Sequence, residues 1–394
     1  METIAIIGAL YGDEGKGLAS DYFCSKFLEK YKPEEGAVVR FQGGAQAGHT
    51  VVTPEGQRHV FSHFGSGSLL GVPTILSENF VCNPTLFIKE FRELNEISKG
   101  EDIPSVSVAP DAMITTHYDV ILNRELENSR GTKRHGTVGA GFGETIEREE
   151  VGHVPLRYRD LRSRWLGRIL EEIKRYFLER AERLGLDIST YDLDIIQENL
   201  FDAIEVFCDY TSTVSPMLYA EGSFKEPKFL VFEGSQGLGL DMVYGDYPYV
   251  TRSRTGLTNV KRFCSIYNLK LDKVVYVTRA YSTRHGAGPL KNQGDQSPYK
   301  HISDETNKES CFQGKLRFAP INYDKIMELI TYDSWDFDGE IRTMVTCLDQ
   351  VTEDKDNILK RGMAFDKKEF MKFIEGWADY MSYGPTRNDV KEVK

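Results

Sequence analysis

Apolar residues along the chain occur in short runs, and each run is followed by glycine or polar residues. The runs are rich in β-branched and aromatic residues, which predicts strands at residues 3–7, 38–41, 229–232, 273–278 and 341–346. Loops that follow parallel strands meet at one edge of a sheet. We therefore expect the segments after these strands to form the functional site of an α/β protein.

One longer apolar stripe has helical spacing. Leu161, Trp165, Ile169, Ile173 and Phe177 recur every four residues, with Arg and Glu between them. This spacing predicts an amphipathic helix whose apolar face packs against the core. We assign this helix to packing and not to chemistry.

Composition narrows the class of protein. The chain has 394 residues, 40% hydrophobic and 28% charged, which is enough for a large core. No apolar run approaches the length of a membrane span, and the N-terminus has no signal pattern, so we expect a soluble, cytoplasmic protein without a membrane partner. A net charge of -11 argues against a nucleic-acid partner. Six dispersed cysteines without a C-x-x-C pair favour reduced thiols.

A glycine-rich turn follows the first predicted strand. In Gly12-Asp13-Glu14-Gly15-Lys16-Gly17 the glycines let backbone N–H groups approach an anion, and Lys16 adds a positive charge at the start of a helix. A Walker loop would read G-x-x-x-x-G-K-[ST]. Here Gly17 replaces the hydroxyl residue that binds magnesium, so Asp13 is the nearest candidate ligand for Mg²⁺.

A second glycine-rich segment follows the second strand. It reads Gly43-Gly44-Ala45-Gln46-Ala47-Gly48-His49-Thr50. Small residues keep the backbone near a ligand and leave His49 free to donate a hydrogen bond to it. The segment is equally compatible with a tight loop whose histidine caps a neighbouring element.

Together the two segments resemble the adenylosuccinate synthetase family, whose signatures G-D-E-G-K-G and A-G-H-T fall at residues 12–17 and 47–50. Further matches follow in the same order at residues 136–139, 232–237, 247–251, 280–284, 286–289 and 383–385. The resemblance implies a P-loop-like α/β fold with a central, mostly parallel sheet flanked by helices. It also implies one domain over residues 1–394, with helical insertions at roughly 85–130 and 155–225, and a homodimer.

The resemblance also implies a reaction. Members of the family ligate L-aspartate to inosine monophosphate at the expense of GTP, through a 6-phosphoryl intermediate. Asp13 is the expected general base and, with the backbone carbonyl of Gly48, the expected Mg²⁺ ligand. His49 and Lys16 are expected to offset charge on the transferring phosphoryl group, and Gln236 completes the catalytic set.

Binding residues carry over in the same way, and a carboxylate at Asp349 suits the two N–H donors of guanine. The expected GTP contacts are Gly12, Glu14, Gly15, Lys16, Gly17, Gly48, Thr50, Arg317, Asp349, Ser382 and Gly384. The expected contacts with the other substrates are Asp13, Gln46, Ala47, His49, Thr137, Val138, Gln236, Thr251, Gln313, Lys315 and Arg317. Taken singly, Gln236 and Thr251 also fit turn or capping roles, and Asp349 fits a helix cap.

The chain departs from the family pattern where the amino acid is expected to bind. In residues 313–321 only Lys315 and Arg317 remain as cations, and lysine cannot reproduce the bidentate fork of arginine. Other departures are Val138 for a threonine, His153 for an arginine from a partner subunit, Cys347 for a lysine beside guanine, and Gln46 for an asparagine.

These departures leave alternatives open. The chain can be a paralogue that uses dGMP, GMP or another amino acid, although an intact Asp13 favours a 6-oxopurine without a 2-amino group. A P-loop GTPase or phosphotransferase would need Ser or Thr after Lys16 and leaves residues 43–50 without a role. A dinucleotide-binding oxidoreductase would need G-x-G-x-x-G after the first strand. An inactive regulatory homologue conflicts with retention of the catalytic set.

Overall fold

The computed structural model describes residues 1–98, 102–214, 227–291, 293, 312–351, 358–359 and 367–393. Its strands are β1 (Glu2–Gly8), β2 (Gly36–Arg40), β3 (Gly43–Gly44), β4 (His49–Val52), β5 (Arg58–Phe61), β6 (Thr74–Leu76), β7 (Phe80–Val81), β8 (Val106–Val108), β9 (Thr211–Thr213), β10 (Phe229–Gly237), β11 (Lys273–Arg279), β12 (Tyr281–Arg284), β13 (Arg317–Asn322), β14 (Glu340–Thr346), β15 (Ile358–Leu359), β16 (Tyr380–Ser382) and β17 (Val390–Glu392). Its helices are α1 (Lys16–Leu28), α2 (Pro84–Ile97), α3 (His117–Ser129), α4 (Phe142–Glu150), α5 (Leu166–Leu184), α6 (Leu193–Asp209), α7 (Leu257–Ile266), α8 (Tyr323–Ser334) and α9 (Lys367–Trp377).

A ten-stranded sheet forms the centre of the described structure, in the order β17-β16-β14-β11-β1-β10-β2-β6-β8-β9. Neighbouring strands are parallel except for the edge pair β16 and β17. The five strands predicted from the apolar runs are the adjacent strands β14, β11, β1, β10 and β2. The predicted α/β fold with a mostly parallel sheet is therefore confirmed.

Helices cover both faces of the sheet, and side chains of β1 alternate between them. Ile4 and Ile6 belong to the apolar cluster that contains Leu18 of α1. Ala5 and Ile7 belong to the cluster formed with α7 and α8. A strand buried on both faces has a continuous apolar sequence, which explains why β1 was recognisable without any alternation.

The segments near residues 85–130 and 155–225 supply four helices, α2, α3, α5 and α6. Their apolar faces share a separate cluster with β8, whose members include Phe87, Leu122, Phe177 and Phe207. The same segments also contribute the edge strands β8 and β9 to the sheet. Their assignment as insertions in a single domain stays a prediction.

The helix predicted from the four-residue stripe is α5, but the first turn of the prediction is wrong. The helix begins at Leu166, so Leu161 and Trp165 precede it. Leu161 is buried after a short 3₁₀ turn, whereas Trp165 is 53% exposed. Ile173 and Phe177 are fully buried, as the spacing predicts.

The cysteines in the described residues are free thiols, as expected, and Cys311 lies outside the described residues. Among the helices that the structure describes, none has the length and apolar content required to cross a bilayer.

Candidate active site

The predicted site segments lie at one edge of the sheet. β1, β2, β10, β11 and β14 run in parallel, so the loops that leave their carboxyl ends gather on the same side. These loops contain the two glycine-rich segments and most of the predicted binding residues. This edge is therefore the candidate active site.

The first glycine-rich loop has a left-handed backbone at three residues. Gly12, Asp13 and Gly15 have φ angles of 90°, 53° and 92°, and α1 begins immediately after Gly15. Glycine adopts this conformation at little cost, whereas at Asp13 it is strained. The loop thus presents the Asp13 side chain from a fixed and uncommon backbone geometry.

The side chain of Glu14 stabilises this loop from the inside by hydrogen bonding to its backbone. Its carboxylate accepts hydrogen bonds from the backbone N–H of Leu10 at 2.6 Å and of Gly12 at 3.1 Å. A Cβ atom at Gly8 would lie 2.3 Å from Glu14 Oε2 and 3.1 Å from Lys16 Nζ, so both side chains fill the space above the end of β1. The role of Glu14 as a GTP contact stays a prediction.

The charges of Glu14 and Lys16 are held away from water. Both residues are only 3% exposed. Burial raises the pKa of Glu14 to about 7, against the lowering effects of Lys16 and the two amides, and burial lowers the pKa of Lys16. An anionic ligand beside Lys16 would therefore find a poorly solvated, strongly interacting cation.

The two glycine-rich segments meet at Gly17. A Cβ atom there would lie 2.7 Å from the carbonyl oxygen of Thr50 and 3.3 Å from Cβ of His49. Helix α1 and strand β4 consequently touch backbone to backbone. The serine or threonine of a Walker loop has no room at this position, which explains its replacement by glycine.

His49 is oriented by a buried carboxylate. Its Nδ1 atom lies 2.5 Å from Glu233 Oε1, and its Nε2 atom lies 3.4 Å from the carbonyl oxygen of Ser235. His49 is 4% exposed and Glu233 is fully buried. Burial raises the pKa of Glu233, but His49, Arg40 and the hydroxyl of Ser66 outweigh it and lower the pKa to about 2. Burial lowers the pKa of His49.

Arg40 supplies the compensating positive charge below this pair. It is fully buried, and its guanidinium donates to Ser235 Oγ at 3.2 Å and to the carbonyl oxygen of Phe64 at 3.3 Å. The Ser235 hydroxyl donates in turn to the carbonyl oxygen of Gln42. These contacts fix the ends of β2 and β10 relative to each other.

Two glutamine amides lie against the glycines of the second glycine-rich segment, one from within the segment and one from β10. A Cβ at Gly43 would lie 2.8 Å from Gln236 Oε1, and one at Gly44 would lie 3.0 Å from Gln46 Oε1. Both amide oxygens are buried without a hydrogen-bond partner among the described residues. Such groups are destabilising unless a ligand or water satisfies them, so they fit the predicted contacts with a substrate.

The Asp13 carboxylate points to a third segment, where His285 Nε2 lies 3.3 Å from its Oδ2. The same segment is gripped by Arg317, which donates to the carbonyl oxygens of Gly286 at 2.6 Å and Gly288 at 2.9 Å and to Gln293 Oε1. Arg317 is therefore tied to a backbone, a contact that the sequence did not predict.

The remaining predicted substrate contacts lie around these elements. The hydroxyl of Thr137 accepts from Asn123, and Val138 is 44% exposed. The backbone N–H of Thr251 donates to the carbonyl oxygen of Leu240. Gln313 is partly exposed and Lys315 is exposed. The roles of these residues, of Ala47 and of Thr50 stay predictions.

The other end of the site is built by β14 and β16. Thr346 Oγ1 donates to the carbonyl oxygen of Glu14 at 3.0 Å, which connects β14 to the first loop. Cys347 follows in a left-handed conformation, and the exposed Asp349 lies in the next turn. The buried Ser382 hydroxyl donates to the carbonyl oxygen of Gly384. Roles in guanine binding stay predictions.

Magnesium fits the donors at this site. Among the described residues no group of three or more His, Cys, Asp or Glu side chains forms a metal cage. Mg²⁺ normally takes one or two carboxylates together with phosphates and water. The Asp13 carboxylate is 24% exposed and Gly48 is exposed, so a carboxylate and a backbone carbonyl are accessible to such an ion.

Three charged residues of the site were not assigned a role from the sequence. Arg40 ends the apolar strand β2, and Glu233 directly follows the apolar run 229–232 within β10. That placement was a usable signal because an unpaired buried charge is costly. His285 had no such signal, because its contact with Asp13 depends on how β12 is placed.

The fold and the site define a nucleotide-binding α/β protein with a phosphate loop between its first strand and first helix. A model of the adenylosuccinate synthetase family matches residues 5–318. The chain belongs to this family, whose members are ligases that form carbon–nitrogen bonds.

Relatives and solved structures agree with this assignment. The chain is 29% identical to adenylosuccinate synthetase from Mesoplasma florum over 74% of this chain and 65% of that protein, and 30% identical to the enzyme from Xylella fastidiosa over 80% and 71%. The chain thus spans about two thirds of the length of these relatives.

The fold matches fully ligated adenylosuccinate synthetase from Plasmodium falciparum with a TM-score of 0.78, 18% identity and full coverage of both chains. It also matches the succinoaminodeoxyadenylate synthetase of cyanophage S-2L, solved with dGMP and with dATP as an energy donor, with a TM-score of 0.63, 15% identity and coverage of 100% and 95%.

Proposed function

We propose that the protein ligates L-aspartate to inosine monophosphate with hydrolysis of GTP, forming adenylosuccinate, GDP and phosphate. The contact at Gly17 carries the proposal, because it joins the loop that bears Asp13 to the strand that bears His49. The general base and the group that offsets charge on the transferring phosphoryl group must adjoin each other for this chemistry. Family membership supports the same reaction.

In the first step Asp13 takes the proton from ring N1 of the purine. The electron pair then moves to the 6-oxygen, which attacks the γ-phosphorus of GTP while the bond to the β-phosphate oxygen breaks. We assign to His49, whose ring is oriented by Glu233, and to Lys16 the role of offsetting the negative charge that develops on this group. Bound Mg²⁺, held by Asp13 and the Gly48 carbonyl, would supply neutralisation of the phosphate charge.

In the second step the amine of the amino acid attacks carbon 6. The bond between carbon 6 and the phosphorylated oxygen breaks, inorganic phosphate leaves, and the amine loses a proton. Gln46 and Gln236 have buried amide oxygens that a purine nucleotide would satisfy. Asp349 would read guanine of GTP, because a carboxylate accepts from the two N–H donors that adenine lacks.

The amino-acid substrate is the part of the proposal with an alternative. Arg317 donates to Gly286, Gly288 and Gln293, so only part of its donor capacity is available for a substrate carboxylate. This observation favours testing amino acids with a single carboxylate in addition to aspartate. We likewise propose to test dGMP and GMP in addition to inosine monophosphate.

The test is a cross of inosine monophosphate, dIMP, GMP and dGMP against a panel of amino acids, with phosphate release as the readout and GTP or ATP as donor. We expect the highest rate with inosine monophosphate, aspartate and GTP in the presence of Mg²⁺. A maximum with dGMP would support the alternative nucleotide. Failure of every purine monophosphate would refute the proposed function.

The Asp13→Ala variant separates chemistry from binding. We expect it to lose turnover while GTP still binds, because the loop amides do not depend on this side chain. Full activity would remove Asp13 from the base role. The proposal also includes a cytoplasmic homodimer, as the family resemblance implies, and light scattering of the purified chain tests the dimer.

A further inference from the structure

His285 lies against the predicted general base. Its Nε2 atom is 3.3 Å from Asp13 Oδ2, and the two side chains are 16% and 24% exposed. The contact is therefore neither deeply buried nor freely solvated. It lies at the surface of the site, where a bound ligand would touch it.

The backbone after His285 is held from one side by Arg317. Strand β12 ends at Arg284, which pairs with Arg317 at the start of β13. The Arg317 guanidinium then reaches back to the carbonyl oxygens of Gly286 and Gly288. Two nitrogens of one guanidinium thus hold the chain within three residues of His285.

The same backbone is held from the other side by residues 135–136. The N–H of Ala287 donates to the carbonyl oxygen of His135 at 3.1 Å. A Cβ at Gly136 would lie 2.4 Å from Cα of Gly286, so these two glycines are packed backbone to backbone. The backbone next to His285 is consequently held on two sides by contacts within the protein.

Asp13 needs such a partner. Its left-handed backbone turns the carboxylate out of the loop, whereas Glu14 turns inward and bonds to the loop amides. A carboxylate has two equivalent oxygens, and rotation about its last bond would exchange them. A donor at Oδ2 removes this freedom and leaves Oδ1, which has two lone pairs, for both the ring nitrogen and the metal ion.

We propose that His285 is a positioning residue that holds Asp13 through Oδ2, so that Oδ1 faces the purine. This inference rests on the proposed function and deepens it. Both the neutral ring protonated at Nε2 and the imidazolium donate from this atom, so the role is independent of the charge of His285. Arg317, a predicted contact of the amino acid, donates to the carbonyl oxygen of the adjacent Gly286. A movement of Arg317 would therefore also shift His285 and, through it, the carboxylate of Asp13.

The test compares His285→Gln, which retains an N–H donor, with His285→Leu, which has none. The matched control is His117→Gln, at the start of α3 and outside the site. We expect kcat for His285→Leu to fall at least tenfold with the KM for GTP changed less than twofold. We expect His285→Gln to recover most of kcat, and the control to match the unaltered protein.

Two results would overturn the inference. One is unaltered kcat in His285→Leu. The other is an equal loss in His285→Gln and His285→Leu with raised KM for both nucleotides, which would indicate a structural role. If the unaltered protein turns over no purine monophosphate, the proposed function fails separately. The Asp13 contact is then decided by NMR of labelled aspartate carboxyls, where the Asp13 signal must move in His285→Leu and not in the control.

Discussion

The imidazole of His49 and the carboxylate of Glu233 are 2.5 Å apart, and this buried pair joins the second glycine-rich segment to the end of β10. Glu233 also accepts from the backbone N–H and hydroxyl of Ser66. The carboxylate is thus fully engaged, and the ring of His49 has one preferred orientation. An imidazole held in this way is preorganised to stabilise charge on a transferring group.

We expect Glu233→Gln to lower turnover about tenfold to a hundredfold while GTP binding changes little, because the amide keeps the shape but weakens the orientation of His49. Steady-state kinetics and calorimetric titration with GTP measure the two effects. An unchanged kcat would mean that His49 does not depend on Glu233.

The chain offers a matched control for this variant in Glu90. Its carboxylate is also buried and faces His63, with Nδ1 to Oε2 at 3.4 Å, and it accepts backbone N–H groups of residues 62–64. Neither residue of this pair is among the predicted site residues. We expect Glu90→Gln to reduce the free energy of unfolding and to leave kcat of the folded protein unaltered.

The stability of the protein should depend on Glu233 at acid pH. The pKa of Glu233 falls from 4.5 to about 2 on folding, so its contribution is present above pH 4.5 and is lost as the pH falls toward 2. The full contribution is on the order of 3 kcal/mol. Urea unfolding at several pH values should show a smaller acid loss in Glu233→Gln. Parallel pH profiles in the two proteins would contradict this linkage.

Gly17→Ala should destabilise the protein by about 1 to 3 kcal/mol, because the added Cβ would meet the carbonyl oxygen of Thr50 at 2.7 Å and force α1 away from β4. Gly143 in α4 is the control, since a Cβ there has no heavy atom within 4 Å and its φ is not positive. Thermal unfolding of Gly17→Ala and Gly143→Ala compares the two. Equal melting temperatures of the two variants would mean that the close approach of α1 to β4 does not require glycine at position 17.

Gln236→Met should separate stability from binding. Removing a buried amide oxygen without a partner among the described residues is expected to leave the free energy of unfolding unchanged or raise it by about 1 kcal/mol. The same change should raise the Kd of a purine monophosphate at least tenfold, because the ligand loses its amide contact. Unaltered nucleotide binding would mean that Gln236 contributes to the structure of the loop and not to binding of the nucleotide.

Five adjacent strands of the central sheet could be predicted because most of their residues are buried on both faces and are therefore largely apolar. The two glycine-rich loops could be located because their backbone geometry and their side-chain chemistry both constrain residue type. The start of α5 was not predictable from spacing. Leu161 is buried like a helix residue although it lies in a preceding turn, and periodicity alone does not distinguish the two cases.

Contacts between residues that are far apart in the chain could not be predicted from the sequence. Glu233 lies 184 residues from His49, and His285 lies far from Asp13 in the chain, so no local pattern connects either pair. The tie between Arg317 and the backbone of Gly286 likewise depends on the pairing of β12 with β13. Asp13 and His49 were predicted from the sequence as site residues, whereas their partners His285 and Glu233 were found only in the fold.

The inward carboxyl group of Glu14 means that the phosphate loop carries its own hydrogen-bond acceptor before any ligand arrives. Two amides that would otherwise repel each other at the mouth of α1 are already satisfied. The entropy of ordering this turn is therefore lost when the protein folds and not when a nucleotide binds. A phosphate that bonded to these two amides would therefore replace the carboxyl group of Glu14 in a loop that is already ordered.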